Sequence, residues 1–365
     1  MKFLRRHYTF AELYCMRKGL LRLLCAPRKM LNVLLCKVSM WLKLSRSLGL
    51  PMNILIEPTG ECSYRCIKCA RFAKDYKDDG PILGSKHMSY ALFKDIMDDI
   101  GDTVLTLRLW HYGEALLNPC IVEMIRYAKK KNIFVALSTV LPYLLTEEKA
   151  EALVESGVDY CMVTIDASTK ETYRLCHGID NFENVIESVK RLVFAKKKLK
   201  TGGPLIEIQF VVMKQNEEEM PAMQLLAEEL GIDKLSFRKL NSREIDFDCF
   251  SHVKTRDDVL PREKSYCLNE TEIRSTPFCC LPWEETVVRY SGLVIPCAAD
   301  HGQIFELGRI DNDDKGGSVR DVWNGKAYAL MRRCVAQDIS QNEMCQRCTK
   351  RNNTGKQTIE KNQSI

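Results

Sequence analysis

The chain has 365 residues, 45% of them apolar, which is enough to bury a full-sized core and excludes a disordered protein. The formal net charge of +6 comes from the two ends of the chain, and the mildly acidic middle argues against a nucleic-acid-binding catalytic face. Seventeen cysteines, with no cleavable signal sequence before them, indicate a reducing cytoplasm in which clustered cysteines are metal ligands or catalytic groups more often than disulfides.

The first predicted region, residues 1–50, is basic and helical, with eleven Lys or Arg against the single acid Glu12. Residues 20–44 mix Leu, Met, Val and Trp with cations, without an uncharged run of about 18 residues that could span a bilayer. Two interpretations stay open: an amphipathic helix packed on the following domain, or peripheral contact with a membrane surface through residues 20–44. We therefore expect a cytoplasmic protein, with or without such contact.

Short β-rich runs alternate with amphipathic helical stretches after residue 52, which predicts an α/β fold with parallel strands and helices outside them. Six strand–helix units are too few for a closed eight-stranded barrel, so we expect an open, partial (β/α)6 TIM-like barrel over residues 51–240. Its active site would lie at the carboxyl ends of the strands. The predicted strands are 53–57, 104–110, 133–138, 160–165, 206–213 and 234–238, and the predicted helices are 90–100, 121–131, 147–156, 182–197 and 217–230.

The barrel is followed by three regions of different composition. Residues 241–275 lose the periodicity and predict a linker, and residues 276–350 form a small cysteine-containing module. The polar and basic residues 351–365 predict a disordered tail.

Three cysteines follow the first predicted strand within eight residues: Cys62, Cys66 and Cys69. A structural zinc site normally takes four protein ligands, whereas a cubane iron–sulfur cluster held by three thiolates leaves one iron free for a substrate or cofactor. The spacing therefore favours a catalytic iron–sulfur cluster, and zinc is the alternative.

This Cys-x3-Cys-x2-Cys loop resembles the signature of the radical S-adenosylmethionine (SAM) superfamily. Residues 111–119 resemble the family's glycine–glutamate segment after the second strand: Gly113 and Glu114 match, whereas Tyr112 replaces the first glycine and Ala115 the usual proline. The resemblance implies that Glu114 receives the methionyl amine of SAM. Without it, Gly113 would be a tight-turn glycine and Glu114 a solvated carboxylate.

Residues 163–173 and 210–216 resemble the family's fourth-strand and fifth-strand segments. The resemblance adds Asp166 to the implied cofactor-binding residues, and Ser138, which ends the third strand, where the family often contacts ribose. For Asp166 the alternative is a helix N-cap. The arginine that the family often has at the position of His177 is missing.

Four further cysteines in the C-terminal module are Cys279, Cys297, Cys345 and Cys348. By themselves they fit a zinc ribbon or an iron–sulfur cluster equally well. With their surrounding Gly, Pro, Trp and Asn residues they are similar to the SPASM family's C-terminal extension, in its shortened, twitch-type form. That resemblance implies one fully ligated auxiliary 4Fe–4S cluster, with Cys280 as the alternative to Cys279.

Together the resemblances imply a radical SAM oxidoreductase with a catalytic 4Fe–4S cluster, an auxiliary 4Fe–4S cluster and SAM as cofactors. The expected substrate is a small molecule such as a sugar, cyclitol or glycolipid precursor, with Asp300 as proton acceptor and a flavodoxin-type or ferredoxin-type electron donor. One alternative is a peptide-modifying maturase. The other, from a different class, is a non-catalytic zinc-binding scaffold at the membrane.

Overall fold

A computed structural model describes residues 26–72, 77–80, 84–240, 278–300, 305–311, 317–339 and Cys345. The predicted linker 241–275, the predicted tail 351–365 and the proposed ligand Cys348 lie outside these residues.

Six parallel strands, joined by helices, form the main body of the fold, and the sheet does not close into a barrel. This confirms the predicted α/β open barrel, with strand and helix boundaries within three residues of those expected from the sequence. The strands are β1 (Asn53–Ile56), β2 (Thr106–Leu109), β3 (Phe134–Thr139), β4 (Tyr160–Thr164), β5 (Leu205–Val212) and β6 (Lys234–Lys239). The helices are α1 (Pro27–Trp41), α2 (Tyr90–Ile100), α3 (Ile121–Lys130), α4 (Glu147–Glu155), α5 (Lys170–His177), α6 (Phe182–Lys198) and α7 (Met220–Leu230).

Local sequence signals explain where the helices begin and end. The side chains of Ser89 and Thr146 cap α2 and α4 by accepting a backbone N–H of the first turn. Helix α5, which the sequence analysis did not predict, begins at the cap Thr169 and ends at Gly178, whose left-handed φ of 68° suits glycine. Helix α5 thereby ends beside the cysteine loop.

The C-terminal module continues the barrel sheet. Its elements are α8 (Leu281–Glu284), β7 (Glu285–Val288), β8 (Leu293–Ile295), β9 (Gly308–Arg309), α9 (Val319–Trp323) and α10 (Lys326–Gln337). Strand β7 pairs in parallel with β1, and β8 and β9 extend the sheet in antiparallel order, giving β6-β5-β4-β3-β2-β1-β7-β8-β9. The module therefore adjoins the strand that precedes the cysteine triplet.

Helix α1 packs on the fold through its polar side. Lys29, whose side chain is buried, donates to the carbonyl oxygens of Val104, Lys131 and Asn132 at 2.8, 2.9 and 3.0 Å. The apolar side faces outward, with Leu34 59% and Trp41 80% exposed. Helix α1 therefore packs on the following domain, as one of the two interpretations expected. An amphipathic helix usually packs through its apolar side, whereas α1 packs through its polar side.

Two of the cations of α1 contact the protein, so the helix does not turn all of its cations outward. Lys29 binds the carbonyl oxygens just named, and Lys37 forms an ion pair with Glu284 at 2.5 Å. Among the described residues, no helix is long and apolar enough to cross a membrane.

Candidate active site

The cysteine triplet lies on the loop after β1, against the carboxyl end of α5. The backbone amides of Arg65 and Ile67 donate to the carbonyl oxygens of His177 and Cys176, each at 3.1 Å. Since these carbonyls belong to the last turn of α5, they lack helical partners and are free to accept. The end of α5 therefore fixes the conformation of the loop between Cys62 and Cys69.

The triplet thiols are partly screened from water. Burial raises the pKa of Cys62 to about 11 and raises the pKa of Cys66 well above its usual value. Thiols of this kind stay protonated at neutral pH until a metal replaces the proton. Three thiols on one loop, with no fourth cysteine on it, fit a cluster that keeps one iron open.

The side chain of His177 links the triplet to Asp166. Its Nδ1 lies 3.2 Å from the Sγ of Cys66, and its Nε2 lies 3.3 Å from Oδ2 of Asp166. Both the histidine and the aspartate are fully buried. Burial lowers the pKa of His177 to about 4, so the imidazole is neutral at pH 7.

Asp166 does not cap a helix, because the N-cap of α5 is Thr169. Its carboxylate accepts a hydrogen bond from the amide of Val211 at 2.7 Å and forms an ion pair with Lys68, which lies between Cys66 and Cys69. Asp166 therefore ties the cysteine loop to β5.

Glu114 is buried beside the triplet, and its carboxylate is not solvated. It accepts hydrogen bonds from the hydroxyl of Thr139 at 2.6 Å and the amides of Val140 at 2.8 Å and Leu116 at 3.0 Å. Burial raises its pKa, although these hydrogen bonds oppose the shift. Its own amide donates to the carbonyl oxygen of Glu61 at 2.7 Å, so Glu114 is linked directly to the residue before Cys62.

Gly113 permits this close approach of two loops. A Cβ at this position would lie 1.7 Å from the carbonyl oxygen of Thr59, far inside any van der Waals contact. The glycine is therefore required for packing, in addition to any contact with a cofactor.

Ser138 lies half-buried on β3 and its neighbour Thr139 makes the contact with Glu114. The sequence analysis did not single out Thr139 or Lys68, and it noted His177 only as the site of a missing arginine. The sequence offers one signal for Thr139: it is a hydroxyl residue beside Ser138, at the carboxyl end of the third strand.

A group of buried charged side chains lies where β1, β2 and β7 end. Glu57 pairs with Arg289 at 3.1 Å, and its Oε1 lies 3.7 Å from Nδ1 of His111. Burial alone would raise the pKa of Glu57, but His111 and Arg289 outweigh it and hold the pKa below its usual value. Arg289 also pairs with Asp79 at 2.7 Å. These ion pairs join the C-terminal module to the rim of the barrel.

Three of the four proposed auxiliary ligands, Cys279, Cys297 and Cys345, lie among the described residues. Cys297 and Cys345 are buried, and Cys279 is half-buried against the main core. Asp300 is 1% exposed, and its carboxylate accepts a hydrogen bond from the amide of Phe305 at 3.1 Å. The hydroxyl of Tyr112 donates to the carbonyl oxygen of Ala298 at 3.3 Å, which connects the barrel rim to the residue after Cys297.

The twelve described cysteines are all free thiols, and six of them are proposed cluster ligands. Within the described ranges, no three His, Cys, Asp or Glu side chains converge on a position for one metal ion. Each thiolate of an iron–sulfur cluster binds a different iron, so such convergence is not what a cluster requires.

Two family models match the chain. Residues 56–226 match the radical SAM superfamily, and residues 279–349 match SPASM, an iron–sulfur cluster-binding domain. These matches imply a catalytic and an auxiliary 4Fe–4S cluster with SAM as cofactor.

Among curated proteins, the chain is 25% identical over 304 residues to the tungsten-containing aldehyde ferredoxin oxidoreductase cofactor-modifying protein of Pyrococcus furiosus, covering 76% of this chain and 82% of that protein. It is 30% identical over 183 residues to the AdoMet-dependent heme synthase of Methanosarcina barkeri, covering 50% of this chain and 48% of that protein. The chain thus spans most of the first relative and about half of the second.

Two solved structures share the fold. SuiB of Streptococcus suis superposes with a TM-score of 0.54 at 14% identity, over 78% of this chain and 68% of SuiB. AdoMet-bound anSMEcpe superposes with a TM-score of 0.53 at 14% identity, over 84% of this chain and 92% of anSMEcpe. With the two family matches and the rim geometry, the chain belongs to the radical SAM superfamily and carries a C-terminal SPASM iron–sulfur cluster-binding domain.

Proposed function

We propose that this radical SAM enzyme oxidises the alcohol carbon of a small molecule, such as a sugar, cyclitol or glycolipid precursor. The observation that carries the proposal is the hydrogen bond from Tyr112 to the carbonyl oxygen of Ala298. It joins the segment that bears Gly113 and Glu114 to the residue after Cys297. An electron leaving a substrate at the rim therefore has a short protein path to the auxiliary module.

At the rim, the thiolates of Cys62, Cys66 and Cys69 hold the catalytic cluster. The buried carboxylate of Glu114 binds the methionyl amine of SAM, and Gly113, Ser138 and Asp166 shape the rest of that site. When bound, the cluster and SAM supply a radical that removes a hydrogen atom from the substrate, after one electron arrives from a flavodoxin or ferredoxin. The protein's own task is to hold the target C–H bond in place and to exclude water.

In the C-terminal module, Cys279, Cys297, Cys345 and Cys348 hold the auxiliary cluster, which supplies a one-electron acceptor when bound. Asp300 takes the hydroxyl proton. With the hydrogen atom, the proton and the electron removed, the alcohol carbon becomes a carbonyl, and the atoms and electrons balance. The support for Asp300 is its burial and the bond from its amide to the carbonyl oxygen of Cys297, at 3.3 Å.

The peripheral partner of α1 is a membrane surface. Its apolar outward side and the excess of cations over acids in residues 1–50 support this assignment, since anionic lipid attracts such a surface. A glycolipid precursor would be delivered from the same surface.

The test uses anaerobically reconstituted protein, in which iron, sulfide and 5′-deoxyadenosine formed from SAM with dithionite are measured. The comparison is a Cys62→Ala/Cys66→Ala/Cys69→Ala variant. We expect about eight irons per chain in the wild type, about four in the variant, and SAM cleavage only in the wild type. Zinc without deoxyadenosine would instead support the scaffold.

A screen of polyols and of peptides then decides the substrate class. Deoxyadenosine formation that rises with a polyol, with one carbonyl product per SAM consumed, supports the proposal. A response to peptides alone supports the maturase. In Asp300→Asn, SAM cleavage should continue while carbonyl formation is lost, because only proton removal is affected.

A further inference from the structure

The strongest contact outside the proposed ligand set is between His177 and Cys66. The Nδ1 atom of His177 lies 3.2 Å from the Cys66 Sγ, with the histidine fully buried and the cysteine partly buried. A sulfur atom accepts hydrogen bonds at this distance. No cluster ligand, SAM contact or substrate role accounts for this histidine.

The tautomer of His177 follows from the group on its other nitrogen. The backbone N–H of Asp166 points at Nε2 from 3.4 Å, and a backbone N–H can only donate. Oδ2 of Asp166 also lies 3.3 Å from Nε2, but among the described residues it makes no hydrogen bond, and it pairs with Lys68. A ring nitrogen that accepts this N–H supplies a lone pair, so the ring proton resides on Nδ1. The Nδ1–H group therefore faces the sulfur of Cys66.

The surroundings hold the ring in this orientation. The ring of Tyr173 stacks on it with centroids 4.4 Å apart, and the ring of Tyr64 meets it edge-on at 5.8 Å. The Cys66 loop is bonded to the carbonyl oxygens of the same helix turn. The imidazole therefore has little freedom to turn away from the sulfur.

We propose that His177 is a positioning residue of the catalytic cluster, whose Nδ1–H donates a hydrogen bond to the Cys66 thiolate and raises the reduction potential of that cluster. A donor stabilises the more negative, reduced cluster more than the oxidised one, and hydrogen bonds to the sulfurs are among the determinants of cluster potentials. No proton moves in this step: one electron enters the cluster while the N–H bond stays intact. The inference rests on the proposed role of Cys66 as a cluster ligand.

A matched pair of variants separates the donor from the bulk of the ring. Asn and Leu have nearly the same size, and an Asn side-chain NH2 is placed close to the position of Nδ1, whereas Leu offers no donor. The reconstituted holoenzymes His177→Leu and His177→Asn are titrated by EPR against a series of potentials. The catalytic cluster is the one whose signal changes when SAM is added.

We expect His177→Leu to reduce the ratio of reduced to oxidised catalytic cluster at a fixed potential about tenfold, which is a shift of about 59 mV to more negative potential. His177→Asn should stay near the wild type. The auxiliary cluster in the same protein is the internal control, and its potential should not move in either variant. Equal shifts in both variants, or no shift in His177→Leu with full iron content, would overturn the proposal.

A second measurement on the wild type covers the case in which a variant takes up no cluster. With 15N-labelled histidine, pulsed EPR of the reduced catalytic cluster should detect one weakly coupled histidine nitrogen and an exchangeable proton. Their absence refutes the hydrogen bond. A wild type that takes up iron only in the auxiliary module refutes the ligand assignment of Cys66 itself, so the two failures are distinguishable.

Discussion

Replacing Gly113 by alanine is expected to disable SAM cleavage by displacing the cysteine loop. The new Cβ would lie 1.7 Å from the carbonyl oxygen of Thr59, and real contacts of this kind are essentially never under 3.0 Å, so the two loops must separate by about 1.3 Å. The hydrogen bond from the Glu114 amide to Glu61 spans the same gap, and Cys62 follows directly. Overpacking of this kind destabilises a protein by about 1–3 kcal/mol.

The activity should suffer more than the stability, because a misplacement of about 1 Å can lower a rate on the order of 10²-fold. The assay is 5′-deoxyadenosine formation by anaerobically reconstituted Gly113→Ala, with its apparent unfolding midpoint measured in urea. The matched control is Gly317→Ala, where the Cβ would meet its nearest neighbours at 3.6 and 3.7 Å, so stability should stay within about 0.5 kcal/mol of the wild type. A Gly113→Ala protein with wild-type stability and SAM cleavage would refute the reasoning.

Three further variants test separate parts of the molecule. Burial lowers the pKa of Lys29 from 10.5 to about 8. Between pH 8 and pH 10.5 the unfolded chain therefore holds a proton that the folded chain has released. The free energy of unfolding of the wild type rises with pH over this range. The gap in unfolding midpoint between wild type and Lys29→Met should therefore widen from pH 8 to pH 10.5, and a constant gap contradicts this. Leu34→Gln should weaken co-sedimentation of the protein with anionic vesicles, because it removes an apolar side chain from the outward side of α1. The control is Leu330→Gln on α10, which has the same 59% exposure and should not weaken it. Equal effects of the two variants argue against a lipid-facing α1. Cys279→Ala should lose about four irons per chain and Cys280→Ala none, because Cys279 packs on the core whereas Cys280 lies at the N-cap of α8. The reverse result would make Cys280 the ligand of the auxiliary cluster.

The barrel could be predicted from the sequence because each strand and most helices carry their own periodicity. Helix α5 was missed since it is only eight residues long and follows a strand-like segment. The pairing of β7 with β1 has no local signal, because the two strands are more than two hundred residues apart in the chain. Only tertiary packing brings the C-terminal module to the rim.

The orientation of α1 shows why amphipathicity alone misleads. Its apolar residues predict an inward apolar face, yet Lys29 points inward because the carbonyl oxygens of Val104, Lys131 and Asn132 converge there. Two of these carbonyls follow α3 and have no further helical amides to accept from. Three carbonyl acceptors give the buried Lys29 side chain the hydrogen-bond partners that a buried polar group needs.

Site residues that lie in a sequence motif could be predicted. Residues that contact the motif from elsewhere in the chain could not. Glu114 could be identified from its segment, but its partner Thr139 lies on the next strand. His177 could be noticed only as a departure from the family pattern. Its contact with Cys66 depends on where α5 ends, which the sequence does not determine locally.

The strand faces opposite the main core carry ion pairs. Leu107 and Leu109 pack in the main core, so Arg108 between them points to the other face, where it pairs with Glu285 of β7. By the same alternation Glu207 points away from that core, and it pairs with Lys234 at 3.3 Å.

These charged side chains are compensated by one another, because each carboxylate on this face has a cation beside it. An apolar side chain would desolvate these ions without compensation, at a cost of several kcal/mol per ion. The ion pairs that β2 and β5 present away from the core therefore hold that side of the sheet together, and the pair between Arg108 and Glu285 joins distant parts of the chain.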